Sequence, residues 1–206
     1  ADITTKPITA TLTADDKTYD GNNTEPDANM SCSLSGVLPA DTANVQCTAT
    51  SGTFNTANVA TANLVTATVT ISGSASGNYT LGAAGTTTSS TSATDAANIT
   101  PKTLTASIVG NPTKIYDGNT NATLTSANFS LSGLVGSESF TVTKTTGTYN
   151  SADVAVATTV STSLVAGDFT PGAGTLASNY VLPTTASGPG QINKAAAVVN
   201  VTPYSV

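Results

Sequence analysis

Apolar residues alternate with threonine and serine along much of the chain. In the segment ITATLT, Ile8, Ala10 and Leu12 fall on one side and the threonines fall on the other. The segment VTATVTIS repeats this alternation from Val65 to Ser72. A period of two is typical of half-buried β-strands, whereas an amphipathic helix would show a period of 3.6. The pattern therefore predicts a mainly β protein built from short strands.

The same motifs occur twice, in the same order. KTYDGNN begins at Lys17 and KIYDGNT begins at Lys114, so the motif tyrosines lie 97 residues apart, which is the length of one small domain. Each copy continues with Leu-Ser-Gly and later with Asn-Tyr-x-Leu, and the second copy carries extra residues near 166–174. We predict two tandem small β domains, either Ig-like/Greek-key sandwiches or β-grasp-like folds, in an elongated arrangement.

The domain boundaries follow from these matches. Residues 1–97 form the first repeat and residues 98–190 the second. Residues 191–206 are interpreted as the first strand of a truncated third repeat, because QINK resembles the NITPK that opens the second. We therefore expect the chain to be a piece of a longer array. The small and polar segment 82–100 is predicted to be a surface loop or linker.

Composition narrows the classes of function. The net charge is −6 and the chain contains no arginine. Both facts argue against binding to nucleic acid or anionic lipid, because these partners need clustered cations. The chain also has no histidine, the commonest general base and metal ligand. No apolar run reaches the length of a membrane span. We expect neither an enzyme nor membrane insertion, and we predict no cofactor.

The Tyr-Asp-Gly triplet is typical of a turn. Aspartate accepts hydrogen bonds from backbone N–H groups two residues on, glycine adopts positive φ, and the tyrosine ring can pack on the sheet. The predicted structural turn residues are Tyr19, Asp20, Gly21, Tyr116, Asp117 and Gly118. The alternative is calcium bound by Asp20 and Asp117, with Asp15 and Asp16 near the first copy only. No metal site is otherwise predicted.

The only cysteines are Cys32 and Cys47, which match Phe129 and Val142 of the second copy. Two apolar residues in contact across neighbouring strands can be replaced by a disulfide. Such a bond would close a loop of about 15 residues and stabilise the first copy by about 3 kcal/mol. A disulfide implies an extracellular or periplasmic setting. The alternative is a pair of buried free thiols.

Lysines also fall at matching places: Lys6 with Lys102, and Lys17 with Lys114. The ordinary interpretation is exposed side chains that keep sheet edges soluble. The alternative is a covalent cross-link from lysine to asparagine or aspartate beside a buried acid, as in some surface adhesins.

The repeated Tyr-Asp-Gly-Asn, Leu-Ser-Gly, Asn-Tyr-x-Leu and Ile-x-x-Lys motifs resemble the YDG-type tandem repeats of large secreted bacterial surface adhesins. The closing INKAAAVVNVTPYSV resembles the start of a related repeat, the MBG type, which is grouped with β-grasp modules. The resemblance implies secretion and display on the bacterial cell surface in long stalks.

The leading hypothesis is therefore a structural extender, or stalk, that projects a distal binding region from the cell and whose partners are the neighbouring repeats. The alternative is an adhesive module that binds host glycan, mucin or a surface protein. Such binding would use the extra loop around Asp168 and Phe169, because an insertion in one repeat is free to take on a function. The ligand itself is not predicted.

Overall fold

The computed structural model describes residues 2–201, and its chain divides into two compact units, residues 1–102 and 103–206. The first unit contains ten strands: β1 (Lys6–Pro7), β2 (Thr9–Ala14), β3 (Lys17–Thr18), β4 (Thr24–Glu25), β5 (Met30–Ser35), β6 (Gln46–Phe54), β7 (Val65–Ser72), β8 (Tyr79–Thr80), β9 (Ser90–Asp95) and β10 (Ile99–Thr100). Its single-turn 3-10 helices are Asp27–Asn29, Pro39–Asp41 and Ser76–Asn78.

The remaining strands are β11 (Lys102–Thr103) at the boundary, followed by β12 (Thr105–Ile108), β13 (Thr113–Ile115), β14 (Asn121–Thr123), β15 (Phe129–Ser132), β16 (Phe140–Val142), β17 (Thr146–Tyr149), β18 (Thr159–Ser163), β19 (Phe169–Pro171), β20 (Tyr180–Val181), β21 (Thr185–Pro189) and β22 (Gln191–Asn193). The 3-10 helices here are Ser126–Asn128, Ala166–Asp168 and Ala177–Asn179. The predicted mainly β fold is confirmed. A β-grasp needs a helix packed on its sheet, and residues 2–201 contain no α-helix.

Alternation places the apolar residues in the core, as the sequence predicts. Along β7 every odd residue from Val65 to Ile71 is buried, while the threonines between them lie outside or at the margin. Ile8 and Leu12 are likewise buried around β2. Because each buried valine or isoleucine contributes about 1.5–3 kcal/mol, these two strands supply much of the first core.

Each unit is organised around a mainly antiparallel sheet, and short parallel pairs form separate two-stranded sheets beside it. In the first unit the sheet order is β4-β6-β7-β9, and β2 pairs with β5. In the second unit the corresponding strands join into one six-stranded sheet, β14-β17-β18-β21-β12-β15, because β12 pairs in parallel with β21. In the first unit a side chain makes the corresponding link, since the N–H of Ala14 donates to Asp95 Oδ2 at 2.9 Å.

The segment 82–100, which the sequence predicts to be a loop or linker, contains strands. Residues Ser90–Asp95 form β9 and pair with β7 over six residues, from Val65↔Asp95 to Thr70↔Ser90. The prediction was wrong because STSATD has no apolar face to reveal the strand. Backbone hydrogen bonds to a well-formed neighbour suffice to hold it.

The last strand of each unit pairs with the strand that carries the motif lysine. Ile99 lies opposite Lys17 in the pair of β10 with β3, and Ile192 lies opposite Lys114 in the pair of β22 with β13. Residues 191–193, which the sequence assigns to a third repeat, thus pair within the second unit. The rest of that segment forms no strand as far as residue 201, and residues 202–206 lie outside the described residues.

Candidate functional site

The first Tyr-Asp-Gly loop is built around a buried ammonium group. Lys17 Nζ donates to Asp20 Oδ1 at 2.9 Å, to Asn22 Oδ1 at 3.1 Å and to the carbonyl oxygen of Thr24 at 2.7 Å. It also lies 5.8 Å from the centre of the Phe54 ring, within the range of a cation–π contact. We call Lys17 with its acceptors the first lysine cage.

The second unit repeats the arrangement. Lys114 Nζ donates to Asp117 Oδ1 at 2.7 Å and to both the backbone and side-chain oxygens of Asn119 at 2.8 Å. The ring of Tyr149 stands where Phe54 stands in the first unit, 5.7 Å from the ammonium. This second lysine cage is more open, because the Lys114 side chain is 17% exposed against 6% for Lys17.

The turn chemistry inside both cages agrees with the sequence. Asp20 Oδ1 accepts from the N–H of Asn22, and Asp117 Oδ1 accepts from the N–H of Asn119. The glycines between them have φ of +87° at Gly21 and +82° at Gly118, a region that glycine enters without strain. The heptapeptide recurs because one turn and one ammonium fix this loop in each unit.

The motif tyrosines differ between the units. Tyr19 is 5% exposed, whereas Tyr116 is 45% exposed. A packed ring is therefore found at the first position and not at the second. What the two positions share is the backbone, because the N–H of Tyr19 donates to Thr100 and that of Tyr116 donates to Asn193. This shared bond extends the parallel pair of each unit.

The ammonium groups set the electrostatics of the loops. Burial acts to raise the pKa of Asp20, but hydrogen bonds from Lys17 and the Asn22 N–H outweigh burial and leave the pKa below its ordinary 3.8. Donation by Lys114 and by the Asn119 N–H lowers the pKa of Asp117 in the same way. Both carboxylates are held in their charged form.

The cages bear on both alternatives that the sequence leaves open. Calcium at Asp20 or Asp117 would have to displace an ammonium that already occupies the centre of the oxygen cluster. Among residues 2–201 no group of three or more His, Cys, Asp or Glu side chains is placed to hold a metal ion. The expectation that Lys17 is exposed is wrong, because its apolar stem packs inward while its ammonium is satisfied by the loop. The cross-link from lysine to asparagine or aspartate stays a prediction, since Lys17 Nζ lies at hydrogen-bond distance from Asn22 Oδ1, 3.1 Å away.

A second shared device uses the tyrosine of Asn-Tyr-x-Leu. The Tyr79 hydroxyl donates to Asp41 Oδ2 at 2.6 Å and accepts from the N–H of Leu38 at 3.2 Å. The bond to Asp41 raises the pKa of Tyr79. In the second unit the Tyr180 hydroxyl donates to Glu138 and accepts from the N–H of Val135. These tyrosine clamps fix the loop that follows each Leu-Ser-Gly.

The predicted disulfide is present in the first unit. It joins Cys32 on β5 to Cys47 on β6, with the Cα atoms 6.0 Å apart. The bond forms one wall of an open surface cavity of about 450 Å³, which Leu34, Val37 and Val45 also line.

The second unit packs the same region with aromatic rings. Phe140 meets Phe169 edge to face at 6.3 Å and Tyr180 at 5.7 Å. Phe129, the counterpart of Cys32, packs against the same core. The disulfide joins β5 to β6, whereas these ring contacts join β16 to β19 and to β20.

The extra residues of the second repeat lie where the sequence predicts. The 3-10 helix Ala166–Asp168 separates β18 from β19, whereas the first unit has the continuous strand β7. Asp168 accepts from the N–H of Val165 at 2.9 Å and lies 3.8 Å from Lys144 Nζ. Phe169 is 7% exposed. The loop thus turns its aromatic residue into the core.

Sequence reasoning missed the lysine cages, the tyrosine clamps and one buried acid, Glu25. The signal for the cages was the constant spacing from lysine to aspartate at i+3 and asparagine at i+5 in both copies. The partner acids of the clamps, Asp41 and Glu138, have no such fixed spacing from their tyrosines, because the second repeat carries insertions between them.

Comparison with known proteins gives one family. The model of the YDG domain matches the chain twice, over residues 4–91 and 100–187. No curated protein and no solved structure matches the chain. The structure adds that, among the described residues, no helix is long and apolar enough to cross a membrane. The two matches cover most of the chain, which therefore belongs to the YDG domain family as a tandem pair of repeats.

Proposed function

We propose that these repeats are structural extenders, or stalk modules, of a bacterial cell-surface adhesin that hold a distal binding region away from the cell. The observation that carries the proposal is the parallel pairing of the N-terminal and C-terminal strands within each unit. When two parallel strands are pulled by opposite chain ends, the force runs along both strands. All hydrogen bonds of the pair are then loaded together in shear, whereas an antiparallel hairpin pulled at its open end loses its bonds one at a time.

The second unit has the longer shear element. Strand β13 pairs with β22 through three residue pairs, Thr113↔Gln191 to Ile115↔Asn193. Strand β12 pairs with β21 through two more, Ala106↔Ala186 and Ser107↔Ser187. Lys114 lies on β13 and its acceptors Asp117 and Asn119 follow the strand, so the second lysine cage anchors one end of this element.

The first unit has shorter elements, which side chains supplement. Strand β1 pairs in parallel with β8 through Lys6↔Tyr79 and Pro7↔Thr80. Strand β3 pairs with β10 through Lys17↔Ile99 and Thr100↔Thr18. Asp16 Oδ1 accepts from the N–H of Asn98 at 2.6 Å, next to this pair. The disulfide adds a covalent bond between β5 and β6, which supports secretion to an oxidising environment outside the cell.

The polar chemistry of both repeats is directed inward. The lysine cages and tyrosine clamps use their charged and hydroxyl groups to fix loops of the same unit, and the chain offers no histidine or arginine for catalysis or anion binding. We therefore propose no enzymatic role. The rival function of binding host glycan or a surface protein has less support, because Phe169, the aromatic residue of its expected loop, packs in the core.

Pulling experiments in two directions test the proposal. Force applied through the chain termini should load the parallel pairs in shear and produce distinct unfolding events. Force applied through handles at Thr105 and Ser132, which lie directly opposite each other in the antiparallel pair of β12 with β15, should peel that pair apart at lower force. Equal resistance in both directions would contradict a load-bearing role for the parallel strands.

A further inference from the structure

The first unit buries a carboxyl group that neither cage nor clamp uses. Glu25 is 1% exposed, and neither of its carboxyl oxygens has a hydrogen-bond partner among the described residues. It lies on β4 opposite Gly52 of β6. The packing leaves no room there, since a Cβ atom at Gly52 would lie 2.9 Å from Glu25 Cβ and 2.4 Å from Met30 Sδ.

The charged groups around Glu25 do not form a pair with it. Lys17, on β3, lies near, but its ammonium is already shared among Asp20, Asn22 and the carbonyl of Thr24. Asp15 and Asp20 are like charges and oppose ionisation of the carboxyl group. A buried acid without a partner favours its neutral form, because ionisation would place a charge in an apolar site.

Burial is the largest influence on this group and raises the pKa of Glu25 above its ordinary 4.5. The two like charges act in the same direction. The nearby Asn29 side chain, which makes no hydrogen bond of good geometry to the carboxyl group, and the Lys17 charge act in the opposite direction and offset part of the effect.

The second unit shows that the fold itself does not need the acid. Ala122 of β14 faces Gly147 of β17 as Glu25 faces Gly52, and Ala122 is also buried. Both lysine cages form, although only one has the acid beside it. The carboxyl group is thus an addition to the first unit rather than part of the shared framework.

We propose that Glu25 is a proton-operated switch, in which loss of its proton loosens the pairing of β4 with β6 and draws Lys17 away from the first lysine cage. Two paths relieve the buried charge. The short strand β4 can open to water, or the ammonium can move from the Asp20 carboxylate to the Glu25 carboxylate. Both paths act on the first Tyr-Asp-Gly loop, because Thr24, adjacent to Glu25, supplies one of the cage acceptors.

The direction of the switch follows from linkage. A carboxyl group whose pKa is raised on folding stabilises the folded unit fully below its unfolded pKa of about 4.5, and this contribution is lost as the pH rises through the folded value. The first loop is therefore tightest in mildly acidic conditions and loosens toward neutral and alkaline pH. The second unit lacks the switch and keeps its loop throughout this range. This inference does not depend on the stalk function.

The direct test is a carbon-13 NMR titration of the Glu25 carboxyl carbon in the intact chain. We expect the signal to titrate above the ordinary glutamate value of 4.5, and the amide signals of Asn22 and Thr24 to shift with the same midpoint. Those of Asn119 in the second lysine cage and of Asn121, the counterpart of Thr24, should not follow. Titration of Glu25 at an ordinary value, or identical behaviour of the two loops, would overturn the proposal.

Stability measurements on variants give a second test. The two variants are Glu25→Gln and Glu25→Ala, the second of which installs the residue found in the second unit. We compare the change of stability with pH in each protein, because any constant cost of the substitution then cancels. The first unit of the wild type should lose stability from about pH 4 to about pH 8 relative to both variants, with each unit of pKa difference changing the unfolding constant about tenfold. Ala122→Glu should transfer the dependence to the second unit. Parallel pH profiles for wild type and Glu25→Gln would refute the switch.

Discussion

If the first lysine cage holds its loop, the Lys17 ammonium must stabilise the first unit, and replacement of Lys17 by methionine tests this. Methionine keeps the apolar stem and removes the ammonium. Asp20, Asn22 and the carbonyl of Thr24 then lose their common donor. The loop would keep its turn glycine but lose the contact that ties it to β3.

The magnitude follows from burial. Breaking a buried ion pair costs about 3–5 kcal/mol, and a hydrogen bond to a charged group is worth about 1.5–3 kcal/mol. The Lys17 side chain is 6% exposed, but that of Asp20 is 46% exposed. Water can therefore solvate the Asp20 carboxylate in the variant, which reduces the loss of stability. We expect Lys17→Met to destabilise the first unit by about 2–3 kcal/mol, which increases its unfolding constant about 30- to 150-fold.

The second unit supplies a graded comparison. Lys114 donates to the corresponding aspartate and asparagine, Asp117 and Asn119, with a side chain that is 17% exposed, beside an aspartate that is 49% exposed. Lys114→Met should therefore cost less, about 1–2 kcal/mol, and only in the second unit. Lys194→Met, at an exposed position beyond β22, is the control and should change nothing measurable.

Hydrogen exchange read by mass spectrometry resolves the two units, because peptides from β6 and from β17 report on them separately. We expect faster exchange in β6 for Lys17→Met, faster exchange in β17 for Lys114→Met, and the larger effect in the first unit. A loss below about 0.5 kcal/mol for Lys17→Met, within the range of ordinary surface substitutions, would refute the cage as a structural element.

The remaining predictions concern the disulfide, the clamps and acid. Reduction of the bond between Cys32 and Cys47 should lower the stability of the first unit by about 3 kcal/mol in denaturant titrations. The double variant Cys32→Phe/Cys47→Val copies the residues of the second unit. It should recover part of this loss, because the larger side chains fill the adjacent cavity of about 450 Å³. Failure of reduction to shift the transition would contradict the predicted staple. Tyr79→Phe and Tyr180→Phe should each lower the stability of their own unit by about 1–2 kcal/mol, because each leaves a backbone N–H without its acceptor. Hydrogen exchange as slow as in the wild type would exclude the clamps. Because the pKa of Asp117 is lowered on folding, this carboxylate should stabilise the folded second unit above its ordinary pKa of 3.8, and the stabilisation should be lost as the pH falls through the folded value. Asp117→Asn should remove this acid sensitivity from the Asn119 amide signal. An unchanged acid profile would argue against the ion pair of Asp117 with Lys114.

Sequence reasoning identified the strands whose composition alternates. β2 and β7 place their apolar residues inward as predicted, because a half-buried strand must separate the two classes of side chain. β9 escaped prediction because its stability comes from backbone pairing with β7, which leaves little trace in composition. Comparing the repeats also located Cys32 and Cys47, since their counterparts Phe129 and Val142 are apolar residues that pack together.

The chemistry of the loops was harder to predict. Lysine is usually exposed, so its ordinary preference concealed Lys17, whose ammonium finds its acceptors only when the turn closes on β3. Glu25 was concealed for the opposite reason. An acid in a polar stretch of sequence gives no sign of burial until β4 takes its place beside β6. Both surprises depend on strand pairing, which single-sequence patterns do not specify.

Force-extension measurement of the whole chain, oxidised and then reduced, tests the stalk account most directly. The disulfide withholds the 15-residue stretch between Cys32 and Cys47 from extension, so reduction should lengthen one of the two unfolding steps by about 50 Å and thereby identify the first unit. A stalk module should give two separate unfolding events, with the lengthened one at lower force because the first unit has fewer residue pairs in its parallel strands. Extension without resolved unfolding events would contradict a mechanical role for these repeats.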